Sequence, residues 1–136
     1  MSERVRAIIV KENKLLSIKR IKKGETFWCC PGGMVENGET HETALKRECK
    51  EELGVDIELS DLFFKMASEK LETKGQMEYF YLAKIISGEL GSGNGPEFQK
   101  DSGYQGSYQL EWLDIVDISN IDFRPSQLGQ ALTENI

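Results

Sequence analysis

Three carboxylates, Glu48, Glu51 and Glu52, stand at i, i+3 and i+4. If the segment is helical, about 100° per residue places all three on one face, within roughly a quadrant. Like charges so placed repel by a few tenths of a kcal/mol per pair, roughly, and Glu51 and Glu52 also fall near the C-terminal end, where the helix dipole disfavours anions. A hard divalent cation, Mg²⁺ or Mn²⁺, takes oxygen ligands and would turn that repulsion into shared attraction. A solvated acidic face is the alternative.

These glutamates need a helix, and the sequence supplies one with both ends marked. Thr40 is placed to cap a helix over His41–Leu53, Glu42 lies in its first turn, and Gly54 follows as a left-handed stop. Leu45, Cys49 and Leu53 recur at i, i+4 and i+8 as the stripe that packs on a sheet. His41 reads as a surface residue of the first turn.

Around that helix the chain is rich in strands. Val5–Val10 and Leu15–Ile18 read as a hairpin bridged by residues 11–14, and Thr26–Cys30 as a short aromatic strand stopped by Pro31-Gly32-Gly33. Val55–Leu59 and Leu62–Ala67 read as two strands, Met77–Ile86 as a strand buried on both faces or nearly so, and Tyr108–Leu113 as another. Pro125 at the first helical position opens a C-terminal helix through about Thr133. Residues 88–106, with six glycines, read as a long irregular loop, a candidate lid. The basic run Lys19–Lys23 is either a solvated strand end or an attractor of phosphates.

The acidic triplet closes a longer pattern: Gly33, five residues, Glu39, seven residues, Arg47-Glu48, Cys49, Lys50, Glu51-Glu52, Leu53, Gly54, Val55. It resembles the signature of the Nudix hydrolases, Gly-x5-Glu-x7-Arg-Glu-U-x-Glu-Glu-x-Gly-U, where U is aliphatic. Cys49 departs from the usual aliphatic residue, but a free cysteine packs as a small hydrophobe. The resemblance implies the Nudix fold, a mixed β-sheet sandwiched between helices (α/β, or α+β) with a loop-helix-loop motif.

By the same resemblance, Glu48, Glu51 and Glu52 hold a divalent metal, Mg²⁺ or Mn²⁺, joined by the main-chain carbonyl of Gly32. Glu39 and Arg47 brace the loop against the helix; an ordinary surface salt bridge is the other reading of that pair. The implied reaction is metal-dependent hydrolysis of a nucleoside diphosphate linked to a further group X. Its general base is Glu48 or a glutamate outside the signature, for which Glu97 is the first candidate and Glu111 the second; Glu97 also reads as a plain loop charge.

Subgroup markers after the signature, a proline for ADP-ribose enzymes or a tyrosine for dinucleoside polyphosphate enzymes, find no match in residues 70–74, and the compact length looks like the MutT-type nucleoside triphosphate pyrophosphohydrolases. ADP-ribose, nucleotide-sugar or dinucleoside polyphosphate cleavage, action on a non-nucleotide diphosphate or an RNA cap, and a non-catalytic nucleotide-binding sensor are the alternatives. A nucleobase needs a flat apolar partner; Phe27, Trp28, Tyr79, Tyr81, Phe98, Tyr104 and Tyr108 are available, most of them needed for the core, and Trp28, Phe98 and Tyr104 are the candidates.

Length and charge bound the rest. The 136 residues fit a single domain, 1–136. With 17 basic against 23 acidic side chains the net charge is -6, which argues against a grip on duplex nucleic acid or an anionic membrane. The apolar run Ala7–Val10 falls far short of the roughly 18 residues a spanning helix needs, and no secretory signal is evident at the start. Three cysteines, two adjacent, make no disulfide framework and no zinc site, so a reducing cytoplasm is expected. The partner expected is a small nucleotide, bound by a monomer or homodimer.

Overall fold

The structure is a computed structural model that describes residues 3–68, 74–91 and 107–135. Strands β1 (Glu3–Lys11) and β2 (Lys14–Lys22) form the expected hairpin. Glu12 and Asn13 both take left-handed backbone (φ 54° and 63°), as a two-residue turn between right-twisted strands requires. Strands β3 (Glu25–Cys29) and β4 (Gly32–Met34) follow, then helix α1 (His41–Leu53), strands β5 (Val55–Ala67), β6 (Met77–Gly88) and β7 (Ser107–Asp114), a 3-10 turn (Ile115–Asn120) and helix α2 (Ser126–Asn135).

The seven strands run in the order β3-β2-β1-β6-β5, with β4 beside β1 and β7 beside β2. The sheet is mixed, since β1 and β6 are parallel and the other pairs antiparallel. On one edge β1 pairs with β6 over Glu3–Ile9; on the other it pairs with β4 at Arg4–Arg6 and with β2 only at Val10 and Lys11. The two halves of the sheet therefore diverge, and a cleft opens between them.

The pleat of β1 and β2 divides the core. Val5, Ala7, Ile9 and Leu16 face α1 with Leu45, Cys49 and Leu53, whereas Ile8 and Leu15 face the other way, toward Phe80, Ile118, Leu128 and Leu132. Helices thus cover both faces of the sheet. Among the described residues no helix is long and apolar enough to cross a membrane.

Three sequence readings are corrected. Residues 55–67 form one strand, and the polar break after Leu59 is a register shift in its pairing with β6, since a bulge can absorb residues that spoil strict alternation. Strand β6 is not buried on both faces: only Phe80 is fully enclosed and Ile86 is 56% exposed, because β6 carries helix packing unevenly and ends beyond the core. Pro125 caps α2 rather than beginning it; its carbonyl accepts from Leu128 N (3.1 Å) and Gly129 N (3.3 Å), so Ser126 is the first helical residue.

Candidate active site

Helix α1 is fixed at both ends as the sequence reads. Thr40 Oγ1 accepts from Thr43 N (3.1 Å), and Gly54, at φ 79°, donates to the Cys49 and Lys50 carbonyls. Leu45, Cys49 and Leu53 are wholly buried, which turns the opposite face of the helix, with its glutamates, toward the β4 edge. Burial pushes the thiols of Cys30 and Cys49 well above the ordinary cysteine range, and neither is placed for nucleophilic work.

Arg47 is the hub of the loop that leads into α1. Its Nε donates to Glu39 Oε2 (2.8 Å) and its Nη2 to Glu39 Oε1 (3.0 Å), a bidentate fork, while Nη2 also reaches the Met34 carbonyl (3.0 Å). Nη1 donates to Glu48 Oε1 (3.1 Å) and Glu51 Oε2 (3.4 Å). Glu39 accepts in addition from Glu36 N (2.9 Å). The guanidinium, helped by that backbone bond, holds the Glu39 carboxyl down at about 2, and Glu39 in turn holds Arg47 firmly protonated.

Two glycines admit the remaining carboxylates to the cleft. Gly32 N donates to Glu52 Oε1 (2.7 Å), and Glu52 is only 7% exposed. A Cβ on Gly32 would lie 2.0 Å from the Val5 carbonyl oxygen, so β4 approaches β1 too closely for any side chain there. A Cβ on Gly33 would lie 2.5 Å from both Cδ and Oε1 of Glu48; the hydrogen at that position leaves the space the carboxylate fills.

Three carboxylates and a nearby backbone carbonyl are an oxygen-only donor set, which suits Mg²⁺ or Mn²⁺, and the space over Gly33 gives one of the carboxylates its seat. Among the described residues, no three acidic, histidine or cysteine side chains converge as a metal cluster in this conformation. The reason is visible: Arg47 draws Glu48 and Glu51 toward itself while Glu52 turns to Gly32.

The cleft beside them has a volume of about 670 Å³. Arg4, Arg6, Glu78, Met66 and Ser68 line one wall, and Ile18, Arg20, Lys22, Phe27, Cys29 and Tyr108 the other, with Arg124 at the end opposite α1. Among the described lining residues five cations face three carboxylates, Glu48, Glu52 and Glu78, so the cleft reverses the sign of the whole chain. Arg6 Nη1 donates to the Cys30 carbonyl (2.9 Å) and Arg4 Nε to Gln76 Oε1 (3.0 Å). The Arg20 guanidinium lies 3.8 Å from the centre of the Tyr108 ring and that of Arg124 4.1 Å from Phe27.

The sequence candidates thus divide. Glu39, Arg47, Glu48, Glu52 and Gly32 come together, with Glu51 held at the margin by Arg47. Glu97, Phe98 and Tyr104 lie outside the described residues. Trp28 does not line the cleft: its Nε1 donates to Glu111 Oε2 (3.0 Å), on the face of β2 and β3 opposite Phe27, and Lys19 lies over its ring. That bond also holds Glu111 outside the cleft lining.

Of the residues that line the cleft, sequence reasoning set Phe27 behind Trp28 and did not single out Arg4, Arg6 or Glu78. The signal for Phe27 was the alternation of β3, in which Phe27 and Cys29 share one face and Trp28 the other; only the cross-strand pairs Arg20↔Phe27 and Lys19↔Trp28 settle which face meets the cleft. The basic run is likewise split by the pleat, with Arg20 and Lys22 in the cleft and Lys19 outside it. His41 is more than a surface residue: its Nε2 lies 2.8 Å from Glu3 Oε1 and its Nδ1 2.7 Å from the Tyr81 hydroxyl, and its ring packs on Tyr79.

A mixed sheet between helices, with an acidic helix and a glycine strand closing one end of a basic cleft, defines an α+β protein with a cleft whose charge suits an anionic ligand. The NUDIX domain matches residues 1–128, and the chain belongs to the Nudix family. It is 39% identical over 94 residues to a protein of Methanocaldococcus jannaschii named ADP-ribose pyrophosphatase, covering 66% of this chain and 54% of that one. It is 31% identical over 118 residues to the 8-oxo-dGTP diphosphatase of Buchnera aphidicola, covering 85% and 79%. The crystal structure of the MutT NUDIX hydrolase from Burkholderia pseudomallei superposes with a TM-score of 0.74 at 26% identity, over 98% of this chain and 96% of that one. The chain spans about half the length of the M. jannaschii protein and about a quarter of a Caenorhabditis elegans relative, at 54% and 26%.

Proposed function

We propose that residues 1–136 form one Nudix domain that hydrolyses nucleoside diphosphates linked to a group X, with nucleoside triphosphates as the preferred substrates and nucleoside monophosphate and pyrophosphate as the products. The observation that carries this reading is the placement of Glu48 and Glu52 at one end of a basic cleft whose far end offers flat aromatic faces. A diphosphate resists water because its own anionic oxygens repel the nucleophile. Glu48, Glu51 and Glu52, with the Gly32 carbonyl, would hold Mg²⁺ or Mn²⁺, which when bound neutralises those oxygens, polarises phosphorus and lowers the pKa of a bound water.

The side chains of this protein divide the remaining work. Arg6, Arg20 and Lys22 bind and orient the phosphates, and Phe27 and Tyr108 stack the base. A Glu48 carboxylate oxygen takes the proton of the attacking water; Glu97 is the candidate outside the signature. Arg47, held by Glu39, keeps Glu48 and Glu51 aimed between turnovers.

A second reading, ADP-ribose as substrate, is favoured by the name of the M. jannaschii relative at 39% identity. One panel decides: nucleoside triphosphates, ADP-ribose, nucleotide sugars and dinucleoside polyphosphates, each with Mg²⁺ and with Mn²⁺. Release of pyrophosphate from a triphosphate supports the first reading and cleavage of ADP-ribose alone the second. Binding without cleavage of any would make the protein a nucleotide sensor.

A further inference from the structure

Glu78 is an anion in a cleft built to hold anions. It stands on β6, outside the signature, and lines the wall with Arg4 and Arg6. Its negative charge acts on Arg6, yet among the described residues no cation lies within ion-pair distance of it. A carboxylate there weakens the attraction for phosphate, and, standing outside the acidic motif of α1, it is suited to a ligand group that donates hydrogen bonds.

The strand register shows what surrounds it. Glu78 pairs with Arg4 on one side and Met66 on the other, and all three line the cleft. Across strands about 4.8 Å apart, this row presents a thioether, then two coplanar carboxylate acceptors, then a guanidinium donor. The thioether is a soft surface for a flat ring. The edge of guanine reads donor, donor, acceptor: the 2-amino group, N1–H and O6. Adenine sets a ring acceptor beside its amino group, and uracil flanks its one N–H with two carbonyls, so a carboxylate meets repelling lone pairs on both.

We propose that Glu78 is a specificity-determining residue that reads two adjacent N–H donors on the base, which makes guanine nucleotides the preferred class, with Arg4 beside it for the O6 carbonyl. This rests on the nucleotide reading given above, but its test does not need turnover. Calorimetric titration of the protein with GMP, IMP and AMP compares guanine with hypoxanthine, which lacks only the 2-amino group.

Wild type is expected to bind GMP at least about tenfold more tightly than IMP, because losing one donor leaves a desolvated carboxylate oxygen unpaired. In Glu78→Gln, where one acceptor becomes a donor, the GMP to IMP ratio is expected to fall to within about twofold of unity; Glu78→Asp keeps both acceptors and part of the preference. Equal loss for all three nucleotides in Glu78→Gln, pointing to a sugar contact, overturns the proposal, as does a wild type that binds GMP and IMP alike or binds none of them. A GMP preference that collapses in Glu78→Gln, in a protein that cleaves no nucleotide, would refute the proposed hydrolysis and leave the role of Glu78 standing.

Discussion

Gly33→Ala separates positioning from folding more cleanly than any glutamate substitution. The added Cβ would lie 2.5 Å from Cδ and Oε1 of Glu48 and 2.8 Å from Oε2, where ordinary contact begins at 3.4 Å. The Glu48 carboxylate must therefore withdraw by about 1 Å, and a misplacement of that size in a reacting constellation can cost about 10²-fold in rate. The fold should tolerate it. The obstructing atoms are the end of a flexible side chain, and Gly33 does not need left-handed backbone, so the change in stability should stay within about 1 kcal/mol. Gly32→Ala is the control, because its Cβ would strike the Val5 carbonyl at 2.0 Å and its φ is 146°. Neither backbone can give way, and a loss of about 3 kcal/mol or more, near 10 °C in melting temperature, is expected. The assay is Mg²⁺-dependent turnover on the best substrate of the panel, beside thermal melts of both variants. Full activity in Gly33→Ala at unchanged melting temperature would refute the claim that the seat over Gly33 sets the catalytic position of Glu48.

Glu52→Gln keeps an acceptor for Gly32 N but loses its charge, so turnover should fall at least about 10²-fold while the metal-free melting temperature barely moves. Excess chelator should abolish turnover, and added Mg²⁺ or Mn²⁺ should restore it. Trp28→Phe removes the donor to Glu111 and should cost about 1 kcal/mol in denaturant unfolding while leaving kcat/KM within about twofold, since the ring faces away from the cleft. Glu39 is held at about 2 against an ordinary 4.5, so its contribution to stability is fully present above that ordinary value and drains away as pH falls toward 2. The melting-temperature gap between wild type and Glu39→Gln should therefore narrow across that window; a gap independent of pH would show that the fork to Arg47 does not stabilise the loop.

The local features were legible because their causes are local. A capping threonine, a left-handed glycine and a stripe at i, i+4 and i+8 define α1 without reference to anything distant, and Glu48, Glu51 and Glu52 share its face by helical geometry alone. The Arg47 to Glu39 fork was also within reach, since its partners lie eight residues apart in one motif. The misreadings on β5 and β6 arose where burial depends on what packs from outside the strand: alternation says which residues share a face, not which face is covered.

The sequence by itself determined the helix, its ends, the hairpin and the acidic motif, and through them the family. The cleft was decided only by tertiary structure, because β2 joins β1 only at Val10 and Lys11, beyond the stretch of that edge that β4 fills at Arg4–Arg6, and the two half-sheets part there. That divergence sends Arg20 and Phe27 inward and Trp28 outward, and it places Arg4, Arg6 and Glu78 opposite residues far away in the chain. A pleat has two faces related by a single residue of register, and which of them meets a ligand is fixed by long-range strand pairing.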